Sequence, residues 1–478
     1  MKRYFLAISL FTTVNAFSQD VKISKGIKQA MDRIDTNIIR SHIAFLADDK
    51  LKGRYPGTEG FQTAVDYVID QFKNIGLTPS GDDNGFTQKL VIRKSLLNNT
   101  SSVAILKDKS GNTDSLVFAR DFIPVPHPLM ESANADGQLV FAGYGVDIAG
   151  GYSDYKDIDV KGKIVVLING APPGLISTLT AHFSNAGNKT TTAFTKGAHG
   201  VIIINPLSRG GTNLNPAIQS NTALNPGKTI AYGRGFVGNL KTVLNGTAPL
   251  LRKIFLNSGK NMEQVLADLK NGKASSFELP YSIAVSYQTT HTDFVSHNIL
   301  GLIPGSDPVL KNEYVVHSAH LDHLGIGRVV NGDSIYNGAH DNASGVASLL
   351  EIARVYRSSG AKPKRSVLIV MVTGEEMGLI GSSYFAANPT VPKSSIVADV
   401  NTDMPTVIAP LLSVVPLGAE HSSIMNNVNF AAGYLGLEVE KDPEPNENRF
   451  VRSDQYSFVM NGIPALHIKY GTRSDVPG

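Results

Sequence analysis

A histidine-rich segment, SAHLDHLG, spans residues 318–325 and follows a short β-branched run. The run before it and the glycine after it favour a strand, on which His320 and Asp322 point to the same face. A histidine ligand usually needs a carboxylate or carbonyl on its other ring nitrogen. One residue of this pair could therefore bind a metal while the other orients it, although an isolated histidine of this kind is more often an ordinary core or surface residue.

Carboxylates supply further candidate ligands at three places. Asp341 lies in the loop sequence DNASG, just before an amphipathic run, where its ordinary role would be to cap a helix. Glu375 and Glu376 follow six apolar residues, so a buried strand would deliver both to its carboxyl end. Adjacent side chains diverge, which lets one of them bind a metal while the other faces a reacting water. Asp403 also follows an apolar run, where it could equally be an ordinary residue between strand and loop.

Apolar strands and amphipathic helices alternate after residue 297, and this pattern must position those side chains. Residues 345–357 predict a helix with one apolar face. The strand candidates are 298–303, 314–316, 367–372, 394–400 and 463–468. The predicted fold class is α/β, with a mostly parallel mixed sheet sandwiched by helices. Sites in such sheets gather beyond the carboxyl ends of the strands, so the histidine and the carboxylates should converge there.

The types of candidate ligand point to zinc. The chain contains no cysteine, which excludes disulfides, thiolate zinc sites and cysteine nucleophiles. Imidazole nitrogen and carboxylate oxygen both suit zinc. A shared carboxylate could hold two ions roughly 3.5–4 Å apart, as in two-metal hydrolases.

Composition and the first residues limit the partners and the compartment. Lys and Arg number 44 against 41 Asp and Glu, and no long run of one sign occurs, so neither nucleic acid nor a charged membrane surface is an expected partner. A basic start, an apolar stretch at 4–14 and a small-residue site predict a signal peptide, 1–18, that is cleaved after Ser18. We therefore expect an exported protein, periplasmic or extracellular, with no membrane anchor.

Four motifs in order carry a resemblance to a known family: SAHLDHLG, DNASG, TGEEMGLIGS and NTDM. They resemble the di-zinc exopeptidases of metallopeptidase family 28, which includes bacterial leucyl aminopeptidases and glutamate carboxypeptidase II. The segment LADDKLKGRYPGTEG, 46–60, resembles a loop and helix of the same family. The β-like runs between residues 120 and 285 resemble its protease-associated (PA) domain insert.

The resemblance implies a role for each motif residue. His320 and Asp403 would bind one zinc ion, Asp341 would bridge both, and Glu376 would bind the other. Asp322 would orient His320. Glu375 would be the general base.

The resemblance also implies a domain organisation. The N-terminal part of the peptidase domain would occupy 19–120, the β-rich PA-like insert 121–285, and the rest of the peptidase domain 286–478. Family members carry a last zinc-binding histidine after the final strand, whereas here no histidine follows His467. We therefore expect the chain to be truncated at its C-terminus, and the second zinc site to lack its imidazole.

Five other residues after position 339 have different expected roles. His467 lies within an apolar run, where packing is a better expectation than ligation. His340 and Gln455 depart from the residue types common in the family, but neither is a ligand position. Asp454 and Tyr456 could line the substrate side, although a tyrosine beside a strand is more often core.

The leading functional hypothesis is an exported zinc aminopeptidase that hydrolyses peptide substrates. A zinc carboxypeptidase or dipeptidase on the same scaffold is an alternative, because the ligands do not encode which end of the peptide is held. A peptide-binding relative without a working metal centre is a third possibility. Retention of Glu375 and the other motif residues argues against it.

Overall fold

The computed structural model describes residues 23, 25–206, 230–232, 240–358, 360, 362–405 and 410–473. The predicted signal peptide, 1–18, lies outside these residues. Among the described residues, no helix is long and apolar enough to cross a membrane.

Helices and strands alternate through most of the described chain. The helices are Lys25–Met31, Thr36–Leu46, Glu59–Ile75, Ser177–Ser184, Ala186–Thr195, Ala248–Phe255, Met262–Lys270, Ser344–Ser358, Ile380–Ala387, Ile424–Leu435 and Gln455–Met460. The strands are Thr78–Pro79, Thr87–Asp108, Thr113–Ser115, Phe122–Pro124, Ser132–Ala142, Ile164–Ile168, Gly200–Ile204, Ile230–Tyr232, Thr242–Gly246, Ser276–Ile303, Tyr314–His320, Gly325–Val330, Asp333–Tyr336, Ser366–Val372, Ile396–Asn401, Ser413–Leu417, Glu438–Val439 and Ala465–Tyr470.

The centre of the C-terminal half is a mixed sheet around the strand Tyr314–His320. This strand is parallel to Ser366–Val372 on one side and to Ile396–Asn401 on the other. Ala465–Tyr470 continues the parallel part of the sheet. Ser276–Ile303 pairs antiparallel with Ser366–Val372 and joins the sheet to the preceding part of the chain.

Both faces of this sheet are covered by helices. Along Ser366–Val372, Ile369 and Met371 pack towards the helices Glu59–Ile75 and Ser344–Ser358. Leu368 and Val370 face the other way, where they pack in one cluster with Phe385 and Phe458 of the helices on that side. This alternation follows the two-residue period of a strand buried on both faces. The predicted α/β class, with a mostly parallel mixed sheet between helices, is confirmed.

The segment predicted as the insert has its own apolar core. Its strands Ser132–Ala142, Ile164–Ile168, Gly200–Ile204 and Thr242–Gly246 are parallel neighbours. Side chains of Ile164–Ile168 alternate between two apolar clusters, one on each face. This segment contains helices as well as strands, so it is more helical than the β-like runs of its sequence indicate. The PA-like identity and the limits 121 and 285 stay predictions.

Two long strands join this segment to the rest of the molecule. Thr87–Asp108 pairs antiparallel with Ser276–Ile303 over most of its length. Leu90 and Ile92 pack beside Met377, close to the glutamate pair of the sequence, whereas Leu97 and Leu106 belong to the core of the inserted segment. This antiparallel pair of strands therefore connects the core of the inserted segment to the apolar cluster beside the glutamate pair.

The helix Glu59–Ile75 agrees with the apolar period and the terminal residues of its sequence. The Thr58 side chain accepts a hydrogen bond from the N–H of Phe61, and Gly76 ends the helix in the left-handed region at φ 80°. Gly60, at its start, lies against the turn Asp49–Arg54. A Cβ added there would lie 2.0 Å from the carbonyl oxygen of Leu51.

We expect Gly60→Ala to lower the free energy of unfolding by about 1–3 kcal/mol, because the added methyl overlaps the Leu51 carbonyl and the turn must move. In an open helix interior the same change stabilises by up to about 1 kcal/mol. Gly433, in the helix Ile424–Leu435, provides that control because an added Cβ meets nothing within 4 Å. Urea unfolding of both variants checks the contrast, and equal effects would show that the close approach is not a constraint.

Candidate metal centre

Three parallel strands bring their carboxyl ends to one edge of the sheet. His320 lies opposite Val372, and Ser318 lies opposite Asn401. The residues that follow Val372 and Asn401 therefore reach the edge where His320 ends its strand. The loop before the helix Ser344–Ser358 reaches the same edge, because the Asn342 side chain donates to the carbonyl of Thr402 at 3.0 Å.

A first cluster is formed by His320, Asp341 and Asp403. The Nε2 atom of His320 lies 3.1 Å from Asp341 Oδ1 and 3.5 Å from Asp403 Oδ1. One ligand atom from each residue lies within 4.8 Å of the others, which is close enough for all three to bind one ion. His320 is 1% exposed, so the cluster is shielded from bulk water on the histidine side.

A second cluster shares Asp341 with the first and adds Glu376 and His323. Its ligand atoms also lie within 4.8 Å of one another. The Nδ1 atom of His323 lies 2.7 Å from Glu376 Oε1. Asp341 therefore has one imidazole and one carboxylate on each side. They are His320 and Asp403 in the first cluster, and His323 and Glu376 in the second. The sequence alone predicts no role for His323, although this residue lies within the same histidine-rich motif.

The ligand atoms of these clusters lack ordinary partners. The atoms His320 Nε2, His323 Nδ1, Glu376 Oε1 and Asp403 Oδ1 are buried without a hydrogen bond among the described residues, because their close contacts do not have hydrogen-bond geometry. Buried polar atoms are normally paired, so four unpaired atoms around one carboxylate need a reason. Nitrogen and oxygen donors that converge in this way fit a divalent cation such as zinc.

The electrostatics of the first cluster also favour a cation. Burial acts to lower the pKa of His320, but the Asp341 and Asp403 side chains outweigh it and hold that pKa well above its ordinary value. Burial acts to raise the pKa of Asp403, but His320 outweighs it, and the net pKa of this carboxyl is lowered. The carboxylates therefore draw positive charge to the position that an ion would occupy.

Glu375 lies beside both clusters and belongs to neither. Burial raises its pKa well above the ordinary value, and the nearby carboxylates of Asp454, Asp403 and Glu376 raise it further, against a lowering by His320. A carboxylate with a raised pKa holds a proton more readily than a surface glutamate does. This is the property that a general base near neutral pH requires.

Asp322 connects the histidine segment to the glutamate pair. Its carboxylate accepts hydrogen bonds from the backbone N–H groups of Glu375 at 3.2 Å and Glu376 at 3.4 Å. His320 Nδ1 contacts the backbone carbonyl of Asp322 at 3.1 Å, whereas the Asp322 carboxylate lies 3.9 Å away. The main chain of Asp322 thus orients the ring, and its side chain holds the turn that carries both glutamates. Burial raises the pKa of Asp322 to about 6.

A buried arginine that the sequence prediction did not single out supports the same loops. Arg54 is 1% exposed. Its guanidinium donates to the carbonyls of Leu321, Asn337 and Gly338 at 2.9, 2.7 and 3.0 Å. The first carbonyl lies within the histidine segment, and the other two come just before Asp341. The only sequence signal for Arg54 was its place in the turn-rich 46–60 motif.

The remaining residues of the sequence prediction lie around the clusters in supporting positions. His467 Nε2 contacts the backbone carbonyl of Asp403 at 2.8 Å, and its ring is buried. Burial raises the pKa of Asp454, which is fully buried, to about 7. The hydroxyl of Tyr456, 6% exposed, lies 2.8 Å from Nδ1 of His182 in the inserted segment. A substrate-binding role for Asp454 and Tyr456 stays a prediction.

Two cavities open beside the clusters. One, of about 690 Å³, is lined by residues that include Asp341, Glu375 and Asp403. The other, of about 350 Å³, is lined by residues that include His323 and Tyr232. Glu376 lines both cavities, so a bound ion at its carboxylate would be accessible to a ligand.

Comparison with known families identifies the C-terminal part of the chain. Residues 298–476 match the profile of peptidase family M28. Leupeptin-inactivating enzyme 1 of Streptomyces exfoliatus is 30% identical over 187 residues, which cover 38% of each chain. A probable glutamate carboxypeptidase AMP1 of Arabidopsis thaliana is 24% identical over 472 residues, covering 87% of this chain and 60% of the plant protein.

The fold also matches a solved structure. An aminopeptidase from Aneurinibacillus sp. strain AM-1 superposes with a TM-score of 0.51 at 18% identity, over 94% of this chain and 88% of that chain. At this identity the match supports the fold alone. It agrees with the layered α/β arrangement described above.

Removal of the shared carboxylate should affect both clusters. We expect Asp341→Ala to weaken the binding of both Co²⁺ equivalents by at least about 100-fold, because even the loss of an outer-shell partner costs about 10–100-fold. Isothermal titration calorimetry measures this effect, and circular dichroism checks the fold. Asp333→Ala, at an exposed hairpin position, is the control. An Asp341→Ala protein that keeps one tightly bound ion would contradict the shared position of this side chain.

Proposed function

Because residues 298–476 of this chain are a domain of peptidase family M28, we propose that the protein is a zinc-dependent aminopeptidase with Glu375 as its general base. The observation that carries the proposal is the convergence of two ligand clusters on Asp341, with Glu375 beside both. Zinc is supported by the donor types and by the name of a similar protein, a probable zinc metalloprotease of Pyrenophora tritici-repentis.

Each cluster has a role in this proposal. His320, Asp341 and Asp403 would hold one zinc ion, and Asp341 and Glu376 would hold a second. When bound, zinc supplies Lewis acidity that polarises a carbonyl oxygen and lowers the pKa of a coordinated water to roughly 7. Asp341 belongs to both clusters, so its carboxylate would be available to both ions.

The protein side chains move the proton. The Glu375 carboxylate takes the proton of the attacking water as the new carbon–oxygen bond forms. The same carboxyl then delivers a proton to the leaving amine nitrogen as the peptide bond breaks, which regenerates the carboxylate. The raised pKa of Glu375 supports both halves of this transfer. Asp322 holds the backbone at 375 and 376, which keeps the base in place.

The second candidate function, a carboxypeptidase or dipeptidase, differs from the first in which end of the peptide the site binds. In the aminopeptidase proposal, the clusters would hold an ion that the free α-amino group of the substrate could approach, and this would restrict cleavage to one residue from the N-terminus. One observation favours a carboxypeptidase or dipeptidase instead. Arg449, Arg452 and Lys469 line the 690 Å³ cavity beside Glu375, and cationic side chains suit a substrate carboxylate.

We propose export as well, on the basis of the predicted signal peptide at 1–18. Peptides in the periplasm or outside the cell would then be the substrates. The near balance of 44 basic and 41 acidic residues supports a small or neutral partner rather than a polyanion.

We expect Glu375→Gln to lower kcat on an aminoacyl amide by about 10²–10⁴-fold, because general-base catalysis contributes roughly that factor. Its zinc content, measured by mass spectrometry of the metal, should equal that of the unmodified protein, since Glu375 belongs to neither cluster. Glu313→Gln is the control because Glu313 pairs with Arg365 just before the strands Tyr314–His320 and Ser366–Val372, at the end of the sheet away from the clusters. Full turnover by the Glu375→Gln protein would exclude Glu375 as the base.

Paired substrates separate the two exopeptidase functions. The aminopeptidase proposal expects hydrolysis of leucine 4-nitroanilide to be lost when the amino group is acetylated, because the free amine is a ligand. A carboxypeptidase would instead release the C-terminal residue of an N-acetylated dipeptide and would need its free carboxylate. Release of the C-terminal residue from the acetylated dipeptide, with no action on the anilide, would overturn the aminopeptidase proposal in favour of the alternative.

A further inference from the structure

We propose that the smaller cavity, of about 350 Å³, binds a carboxylate of the substrate residue that follows the scissile bond, and that Lys94 and Lys52 recognise this carboxylate. The inference rests on the proposed function and adds a substrate class to it. The favoured substrates would be peptides whose second residue carries a carboxylate, either on its side chain or at its own C-terminus.

The charges around this cavity point to an anion. Lys52 and Lys94 both line it, and Glu376 is the one acidic residue among the described residues that do so. No carboxylate lies within ion-pair distance of either lysine in the described part of the chain. In the proposed function Glu376 binds an ion, which compensates its charge. The two ammonium groups therefore give the cavity a positive charge that a substrate carboxylate can neutralise.

Strand pairing fixes the position of Lys94. It lies on the strand Thr87–Asp108, directly opposite Tyr232 of the short strand Ile230–Tyr232. Side chains of directly opposite residues lie on the same face of a sheet, so Lys94 and Tyr232 form one part of the cavity wall together. Lys94 is half-buried, which strengthens its interaction with a bound anion relative to that of a fully solvated lysine.

A pair of tyrosine hydroxyls adds a neutral donor to the same wall. The hydroxyl oxygens of Tyr55 and Tyr232 lie 2.5 Å apart. Only one of the two hydroxyl hydrogens is used in this contact, so the other can be donated to a carboxylate. Burial raises the pKa of Tyr55 and that of Tyr232, so both hydroxyls stay protonated at neutral pH.

The turn Asp49–Arg54 holds Lys52 beside the cavity. Lys52 lies in the left-handed region at φ 48°, and Gly53 follows it at φ 67°. A Cβ added at Gly53 would lie 2.5 Å from the carbonyl oxygen of Tyr336, so the turn packs closely against the neighbouring hairpin. The backbone that carries Lys52 and Tyr55 is therefore fixed before a substrate binds, which lowers the ordering cost of binding.

The two cavities differ in which part of a peptide suits them. They meet at Glu376, so a peptide whose scissile bond lies beside Glu375 can extend into both. The larger cavity includes Asp403 and Glu375, whose carboxylates can face the α-ammonium group of the first residue. The smaller cavity presents lysines, which would repel that group. The residue after the scissile bond is therefore the one that enters the smaller cavity.

Three peptides test the preference with the whole zinc-loaded protein: leucyl-glutamine amide, leucyl-glutamate α-amide, and leucyl-glutamine with a free C-terminus. We expect at least one of the two carboxylate-bearing peptides to exceed the neutral amide in kcat/KM by at least about 10-fold, mainly through a lower KM, because a hydrogen bond to a charged group contributes about this factor. A gain with the glutamate α-amide identifies the side-chain carboxylate as the group bound. A gain with free leucyl-glutamine identifies the terminal one.

Charge variants then test the two lysines. Lys94→Gln and Lys52→Gln should each reduce the preference for the carboxylate, whereas a merely structural role would change hydrolysis of all three peptides alike. Lys94→Glu should reverse the preference, so that leucyl-lysine amide becomes a better substrate than the glutamate α-amide. Lys89→Gln is the control, because Lys89 is exposed on the same strand outside the cavity and should leave the preference intact. Zinc content and circular dichroism check that each variant keeps its metal centre and its fold.

Equal hydrolysis of all three peptides by the unmodified protein would overturn this inference, and the proposed aminopeptidase would still stand. A preference that survives in both Lys94→Gln and Lys52→Gln would overturn it as well. If the unmodified protein hydrolyses none of the three peptides, the proposed function fails and the inference fails with it.

Discussion

The structure depends on a concentration of negative charge at one edge of a sheet. Asp341, Glu376 and Asp403 present carboxylates to a space that two imidazoles also face, and Glu375 lies beside it. Isolated charges are very costly to bury, so this arrangement requires positive charge at its centre. Without an ion, the carboxylates draw a proton onto His320 and raise its pKa. Two divalent cations would remove the repulsion and give every unpaired ligand atom a partner.

The rest of the fold holds these groups together. Parallel pairing brings His320, the glutamate pair and Asp403 to the same edge, because each follows a strand in register with its neighbour. The Asn342 side chain then links the Asp341 loop to the loop before Asp403, since its Oδ1 accepts from the N–H of Met404 at 3.2 Å. Such links are needed because each ligand contributes only one or two atoms to a site that tolerates errors of well under 1 Å.

Much of this arrangement was predictable from the sequence, for a physical reason. The α/β class and the helix Glu59–Ile75 follow from periodicity and capping, which are local properties. The convergence of His320, the glutamate pair and Asp403 follows from strand ends that meet at one edge. The place of His323 did not follow, because the chain leaves its strand at His320 and the direction of the next side chains depends on contacts with Arg54 and Gly338, which are distant in sequence. For the same reason, the sequence did not reveal that the main chain of Asp322, rather than its carboxylate, contacts the His320 ring.

The most direct test of this account is a crystal structure of the zinc-loaded protein with anomalous data collected at the zinc edge. The account predicts two peaks separated by about 3.5–4 Å, with an oxygen of Asp341 bound to each. His320 and Asp403 should surround one peak, and Glu376 should lie at the other. A single peak, or zinc bound away from Asp341, would contradict it.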